Sequence, residues 1–163
     1  TSKSNINIGK NTFRIMGKDI LSKEETIFSL IIDGKIPSYK LYEDEFVIAI
    51  LDINPFSPGH ALVIPKEAAK TLDKLSSKSA SAIGAILPKI SRAILDVTGA
   101  KEFNVLQNNG VNAYQSVFHV HFHIIPKYED GRGLQFPFQS SPINHDEAII
   151  LSKKIYQHIL EGT

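Results

Sequence analysis

The chain has 163 residues, a length that fits one compact domain and leaves little room for two. Lys and Arg number 18 against 17 Asp and Glu, a formal charge of +1 that argues against a nucleic-acid binder relying on bulk positive charge. No cysteine is present, which excludes disulfides, thiol nucleophiles and thiolate zinc sites and fits a reducing cytoplasm; no apolar stretch is long enough for a membrane span, and residues 1–12 carry no signal-peptide core.

Residues 1–22 form a polar, weakly patterned arm, and residues 23–163 form the domain. Glu24 to Ile32 reads as a short helix, with Ile27, Phe28, Ile31 and Ile32 on one side and Gly34 as its stop. Pro37 breaks the chain before a hairpin of Tyr39–Tyr42 and Phe46–Leu51, turned by Glu43-Asp44-Glu45. The turn cluster Asn54-Pro55-Phe56-Ser57-Pro58-Gly59 leads into a short strand, Ala61–Ile64, bounded by Pro65. Ala80 to Val97 is the longest helical pattern, with Gly99 as its stop. Pro88 lies inside it and predicts a kink or two pieces. Phe103–Gln107 and Val117–Ile125 read as strands flanking the loop Asn108–Tyr114. A closing helix spans about 146–161, with Asn144 as its cap and Ala148, Leu151, Ile155 and Ile159 as its core stripe. Hairpin-joined strands with grouped helices predict an α+β domain with an antiparallel sheet.

Three of six histidines fall within five residues, in Val117-Phe118-His119-Val120-His121-Phe122-His123-Ile124-Ile125-Pro126. Strand alternation puts His119, His121 and His123 on one face and Val120, Phe122 and Ile124 on the other. Neighbouring imidazoles would stand about 7 Å apart, where mutual repulsion and partial burial favour neutral rings. A neutral ring nitrogen is a nucleophile, a proton acceptor or a metal ligand. Three readings follow from the residues: a strand of hydrogen-bonded histidines, a metal site with His60 as a fourth ligand, or nucleophilic catalysis by one histidine.

Asn108, Ala113, Gln115, Val117 and His119-Val-His121-Phe-His123-Ile-Ile-Pro126 resemble the signature of the histidine triad (HIT) superfamily of nucleotide hydrolases and transferases. Thr26-Ile-Phe28, Ile32-Asp-Gly-Lys-Ile-Pro37, Leu51-Asp-Ile-Asn-Pro55 and Pro58-Gly-His60-Ala-Leu-Val-Ile-Pro65 resemble its purine nucleoside phosphoramidase branch, so the likeness covers residues 24–126. The resemblance implies a HIT-like α+β fold, with a sheet of roughly five antiparallel strands, one long helix and one or two shorter ones. It implies that His121 attacks the α-phosphorus of a nucleotide to form a nucleotidyl-histidine, with its far N–H held by the His119 carbonyl. His119, His123 and His60 complete the pocket, with His123 and Ser116 placed to hydrogen-bond phosphate or leaving group. Backbone N–H groups around Ser116-Val117, the Gln115 amide and histidines that take up a proton would stabilise charge, with neither metal nor cofactor. Asp52 takes the ribose hydroxyls, a role to be weighed against that of a turn aspartate. Ile27, Phe28, Ile31, Ile53 and Leu62 sandwich the purine, and Asn108 lies near phosphate and leaving group.

The implied function is hydrolysis of purine nucleoside 5′-monophosphate conjugates such as AMP phosphoramidates. The partners expected are the purine nucleotide and a second copy of the chain, through the long helix and a neighbouring strand, and neither nucleic acid nor membrane. Rival readings are a dinucleoside polyphosphate hydrolase of the same superfamily and a non-catalytic nucleotide-binding module. Two departures stand out. Thr26 and Ser29 replace the Cys-x-x-Cys with which many relatives bind a structural zinc, and Glu67-Ala68-Ala69 lacks the accompanying histidine. Tyr114 stands where the phosphoramidases often have glycine, narrowing the loop beside the leaving group.

Overall fold

Alternation along two strands decides where everything else sits. β5 (Val47–Leu51) and β6 (Ala61–Pro65) pair antiparallel, in register from Val47↔Pro65 to Leu51↔Ala61. Nearly every residue in them is buried, so both faces of the sheet are covered at its centre. Val47, Ala49, Ala61 and Val63 point to one face and meet Ile83, Ile86, Ile90 and Ile94 of the long helix α2 (Ser77–Thr98). Ile48, Ile50, Leu62 and Ile64 point to the other and meet Phe28 of α1 (Ile27–Ile32).

The computed structural model describes residues 6–7, 12–15, 18–19 and 25–162. Around the central pair, β4 (Lys40–Glu43), β7 (Glu102–Leu106) and β8 (Phe122–Lys127) complete a five-stranded antiparallel sheet in the order β4-β5-β6-β8-β7. The α+β architecture expected from the sequence is present. Short strands β1 (Ile6–Asn7), β2 (Thr12–Ile15) and β3 (Lys18–Asp19) form a small antiparallel meander where the sequence pattern marks no strand. The rest of the predicted arm, and the predicted helix start at Glu24, lie outside the described residues.

Two expectations for the helices need correction. α2 runs unbroken through Pro88 rather than in two pieces. Pro88 and Gly84 both lie on the exposed side, so the Gly84 carbonyl freed by the missing N–H reaches water while the isoleucine stripe holds the other side down. The closing helix α3 (His145–Leu160) is capped by Asn144, whose side chain accepts from Glu147 N–H at 3.1 Å, as its sequence predicts. Its supposed core stripe is nevertheless exposed, with Leu151 at 59%, Ile155 at 52% and Ile159 at 66%. The centre of the sheet has no free face for it, because α2 and α1 cover both sides there.

Candidate active site

The three histidines sit where the β6–β8 ladder stops. Pairing runs from Ala61↔Ile124 to Val63↔Phe122 and ends there. Pro65 closes β6 and offers a carbonyl but no N–H, so a continued ladder would lack a donor. His119 takes that carbonyl with its side chain, Nε2–H donating to Pro65 O at 2.7 Å, and Val120 N–H turns away to Ala69 O at 2.8 Å. The predicted strand Val117–Ile125 is thus corrected: β8 begins at Phe122, and His119 and His121 precede it on an irregular segment. The alternation survives. Val117 joins the core on the α1 side, Phe28 meets His119 and His121 edge-on with centroids 6.3 and 4.8 Å away, and Ile124 joins the α2 side. Without flat strand geometry the rings draw together, with His121 and His123 centroids 5.0 Å apart.

Hydrogen bonds assign the ring protons. His121 Nδ1–H donates to the His119 carbonyl at 2.7 Å, which leaves the lone pair on His121 Nε2. His60 Nδ1 accepts from the Phe56 backbone N–H at 3.0 Å, so its proton is on Nε2, 2.9 Å from His123 Nδ1. His60 reaches this place from the turn before β6. Gly59 adopts φ +88° there, and a Cβ on it would stand 2.8 Å from Thr98 Cγ2, so glycine is required.

The remaining candidates divide. Phe28, Leu62 and Val117 share one buried cluster, with Ile27 and Ile31 packed against it, while Ile53 stands outside, 66% exposed. Asp52 follows β5; its Oδ1 accepts from Asn54 N–H at 2.8 Å, and its Oδ2 lies 3.5 Å from His60 Nε2. It is therefore a turn aspartate with one oxygen and a site residue with the other. The Gln115 side chain is fully engaged with backbone: Nε2 donates to Lys70 O at 2.6 Å and Val117 O at 3.0 Å, and Oε1 accepts from Gly110 N–H at 2.7 Å. With both amide protons spent on backbone, it clamps the loop instead of binding charge. The N–H groups of Ser116 and Val117 have no hydrogen-bond partner among the described residues and remain available as anion donors. Among the described residues the Asn108 side chain makes one long contact, Nδ2 to Tyr114 O at 3.5 Å. Tyr114 itself is exposed at φ +66°, the left-handed region that glycine enters without strain.

Asp52, His60 and His123 bring ligand atoms within 4.8 Å of one another, a grouping that invites a metal. The donor set does not fit one. A metal on His60 needs the Nε2 lone pair, but the Phe56 N–H claims Nδ1 and forces the proton onto Nε2.

Burial, the largest influence on each ring, pushes His60, His119 and His121 below the ordinary imidazole range, and pushes His123 down to about 4. All four are neutral at neutral pH, the state in which His121 Nε2 is nucleophilic. As pH falls through about 6.5, imidazoles of the unfolded chain take up protons that the folded chain refuses, so stability drops until the folded sites also titrate, near 4 for His123. Urea unfolding should give a lower stability at about pH 5 than at about pH 7.5, and equal values would contradict buried neutral rings.

Residues 33–130 match the model of the HIT domain. The chain belongs to the HIT domain family. The adenosine 5′-monophosphoramidase of Schizosaccharomyces pombe is 46% identical over 133 residues, covering 82% of this chain and 97% of that one. The adenylylsulfatase HINT3 of Arabidopsis thaliana is 45% identical over 66% of this chain, which spans 54% of that protein. A crystal structure of a histidine triad nucleotide-binding protein from Candida albicans superposes with a TM-score of 0.76 at 35% identity, covering 84% of this chain and 99% of that one. Within this HIT domain, Thr26 and Ser29 have become a helix cap. Thr26 Oγ1 accepts from Ser29 N–H at 3.2 Å, and Ser29 Oγ accepts from Thr26 N–H at 2.9 Å. Glu67 likewise accepts from Ser76 N–H, at 2.9 Å, beside the start of α2.

Proposed function

We propose that the chain is a hydrolase of purine nucleoside 5′-monophosphate conjugates such as AMP phosphoramidates, working through a nucleotidyl-histidine on His121. The observation that carries the reading is the His121 ring itself. Its Nδ1–H is fixed by the His119 carbonyl and its Nε2 lone pair is free, beside the Phe28 ring 4.8 Å away. Relatives named adenosine 5′-monophosphoramidase, at 36–46% identity, support the substrate class.

His121 Nε2 attacks the α-phosphorus and the bond from phosphorus to the leaving nitrogen breaks. The departing amine takes a proton from His123, and Ser116 and Val117 N–H groups receive the phosphate charge. Water then attacks the adduct, returns a proton to His123 and frees the nucleoside monophosphate. The purine lies against Ile27, Phe28, Ile31 and Leu62, and Asp52 Oδ2 accepts from the ribose. Ile53 would close over the base from its exposed turn.

We place the protein in the cytoplasm as a homodimer. The absence of cysteine supports the first. For the second, Phe103 and Val105 of the edge strand β7 lie opposite Pro126 and Ile124 on the α2 side of the sheet and remain exposed, as does Val97 of α2. Competition between an AMP amidate and a diadenosine polyphosphate tests the substrate class. Preferred turnover of the amidate is expected; preferred turnover of the dinucleotide would move the assignment to the polyphosphate hydrolases. Purine nucleotide binding with no turnover of either would leave a binding module.

A further inference from the structure

His60 is 1% exposed, and both of its ring nitrogens are engaged inside the protein, so none is left for a substrate. Its single proton, forced onto Nε2 by the Phe56 N–H, faces two acceptors. One is His123 Nδ1 at 2.9 Å and the other is Asp52 Oδ2 at 3.5 Å. Donated to His123, that N–H makes Nδ1 an acceptor and confines the proton of His123 to Nε2. Drawn toward the anionic Asp52, it leaves His123 free to take either tautomer. The Phe56 ring, tilted against His60 with centroids 5.1 Å apart, helps to hold the imidazole in this plane of choice.

We infer that His60 is a positioning residue that senses what occupies Asp52 and sets the tautomer of His123. A vicinal diol on Asp52 supplies that carboxylate with its own donors, hands the shared N–H to His123, and fixes His123 as an Nε2–H donor for the leaving group. The inference rests on the nucleotide reading above and deepens it. Recognition of an intact ribose prepares the acid, so the 2′- and 3′-hydroxyls act on kcat as well as on KM.

The test uses the full chain labelled with 15N-histidine, whose ring-nitrogen shifts report the tautomer of His123 in the free protein, with AMP and with 2′-deoxy-AMP. AMP is expected to drive His123 almost wholly to the Nε2–H form, with 2′-deoxy-AMP leaving it close to the free state. Equal tautomer populations with both nucleotides bound would overturn the inference alone. No spectral response to AMP at all would overturn the nucleotide reading and the inference with it.

A variant pair reads the same coupling in rates. Gln at position 60 accepts from Phe56 with Oε1 and donates to His123 with Nε2, whereas Leu fills the space without a donor. His60→Leu should lower kcat by about a hundredfold with KM within about threefold, and His60→Gln should recover most of that loss. Equal kcat in the two variants would contradict the positioning role. Should the leucine variant fail to fold, the spectra of the unaltered chain decide.

Discussion

His121→Ala is expected to lower kcat by at least about a thousandfold while AMP still binds, because direct attack by water lacks a positioned nucleophile. The size of the effect follows from what the ring supplies. Its Nδ1–H is anchored at 2.7 Å to the His119 carbonyl, so Nε2 meets the phosphorus without a tautomer change or a rotation. The base and ribose contacts proposed above lie on α1, β6 and the turn after β5, so affinity for the product nucleotide should change by no more than about threefold. Steady-state kinetics and calorimetric titration with AMP measure the two quantities. Turnover within about tenfold of the unaltered chain would remove His121 from the nucleophile's role.

Asp52→Asn should lower the preference for ribo- over 2′-deoxynucleotide substrates, which in the unaltered chain should amount to about ten- to a hundredfold in kcat/KM. The substitution is well suited to the question. Asn retains an oxygen that can accept from Asn54 N–H, as Oδ1 does now at 2.8 Å, so the turn should survive. What is lost is the anionic oxygen 3.5 Å from His60 Nε2, the one open to a ligand. Measuring both sugars on both proteins separates the roles. A lowered melting temperature with the sugar preference intact would confine Asp52 to the turn.

The parts legible in the sequence were those set by period and by local chemistry. Alternation through Val117–Ile124 put the imidazoles on the α1 side and Ile124 on the α2 side even though the ladder covers only its second half. Gly99 and Asn144 mark the end of α2 and the start of α3 because a left-handed cap and a side-chain acceptor are needs of a single turn. Features that depend on distant partners were not legible. Nothing in the spacing of Leu151, Ile155 and Ile159 tells whether a sheet face receives them, and all three stay exposed. The sequence offers Gln115 as a charge donor, but Lys70, Val117 and Gly110 use its whole amide, through contacts that reach 45 residues along the chain. The early end of the ladder did have a signal: Pro65 has no N–H to give, and a histidine two residues before His121 is able to fill that gap with its side chain. The Phe56 amide that assigns the His60 proton had none, since it depends on how a turn of two prolines folds back on the ring.

The covalent step is tested by quenching the enzyme during turnover of an AMP amidate and mapping the chain by mass spectrometry under conditions that preserve phosphorus–nitrogen bonds. An adenylyl group is expected on the tryptic peptide from Glu102 to Lys127, localised to His121 and absent from His121→Ala. Steady turnover with no adduct under rapid quench, or an adduct borne by His119 or His123, would contradict it.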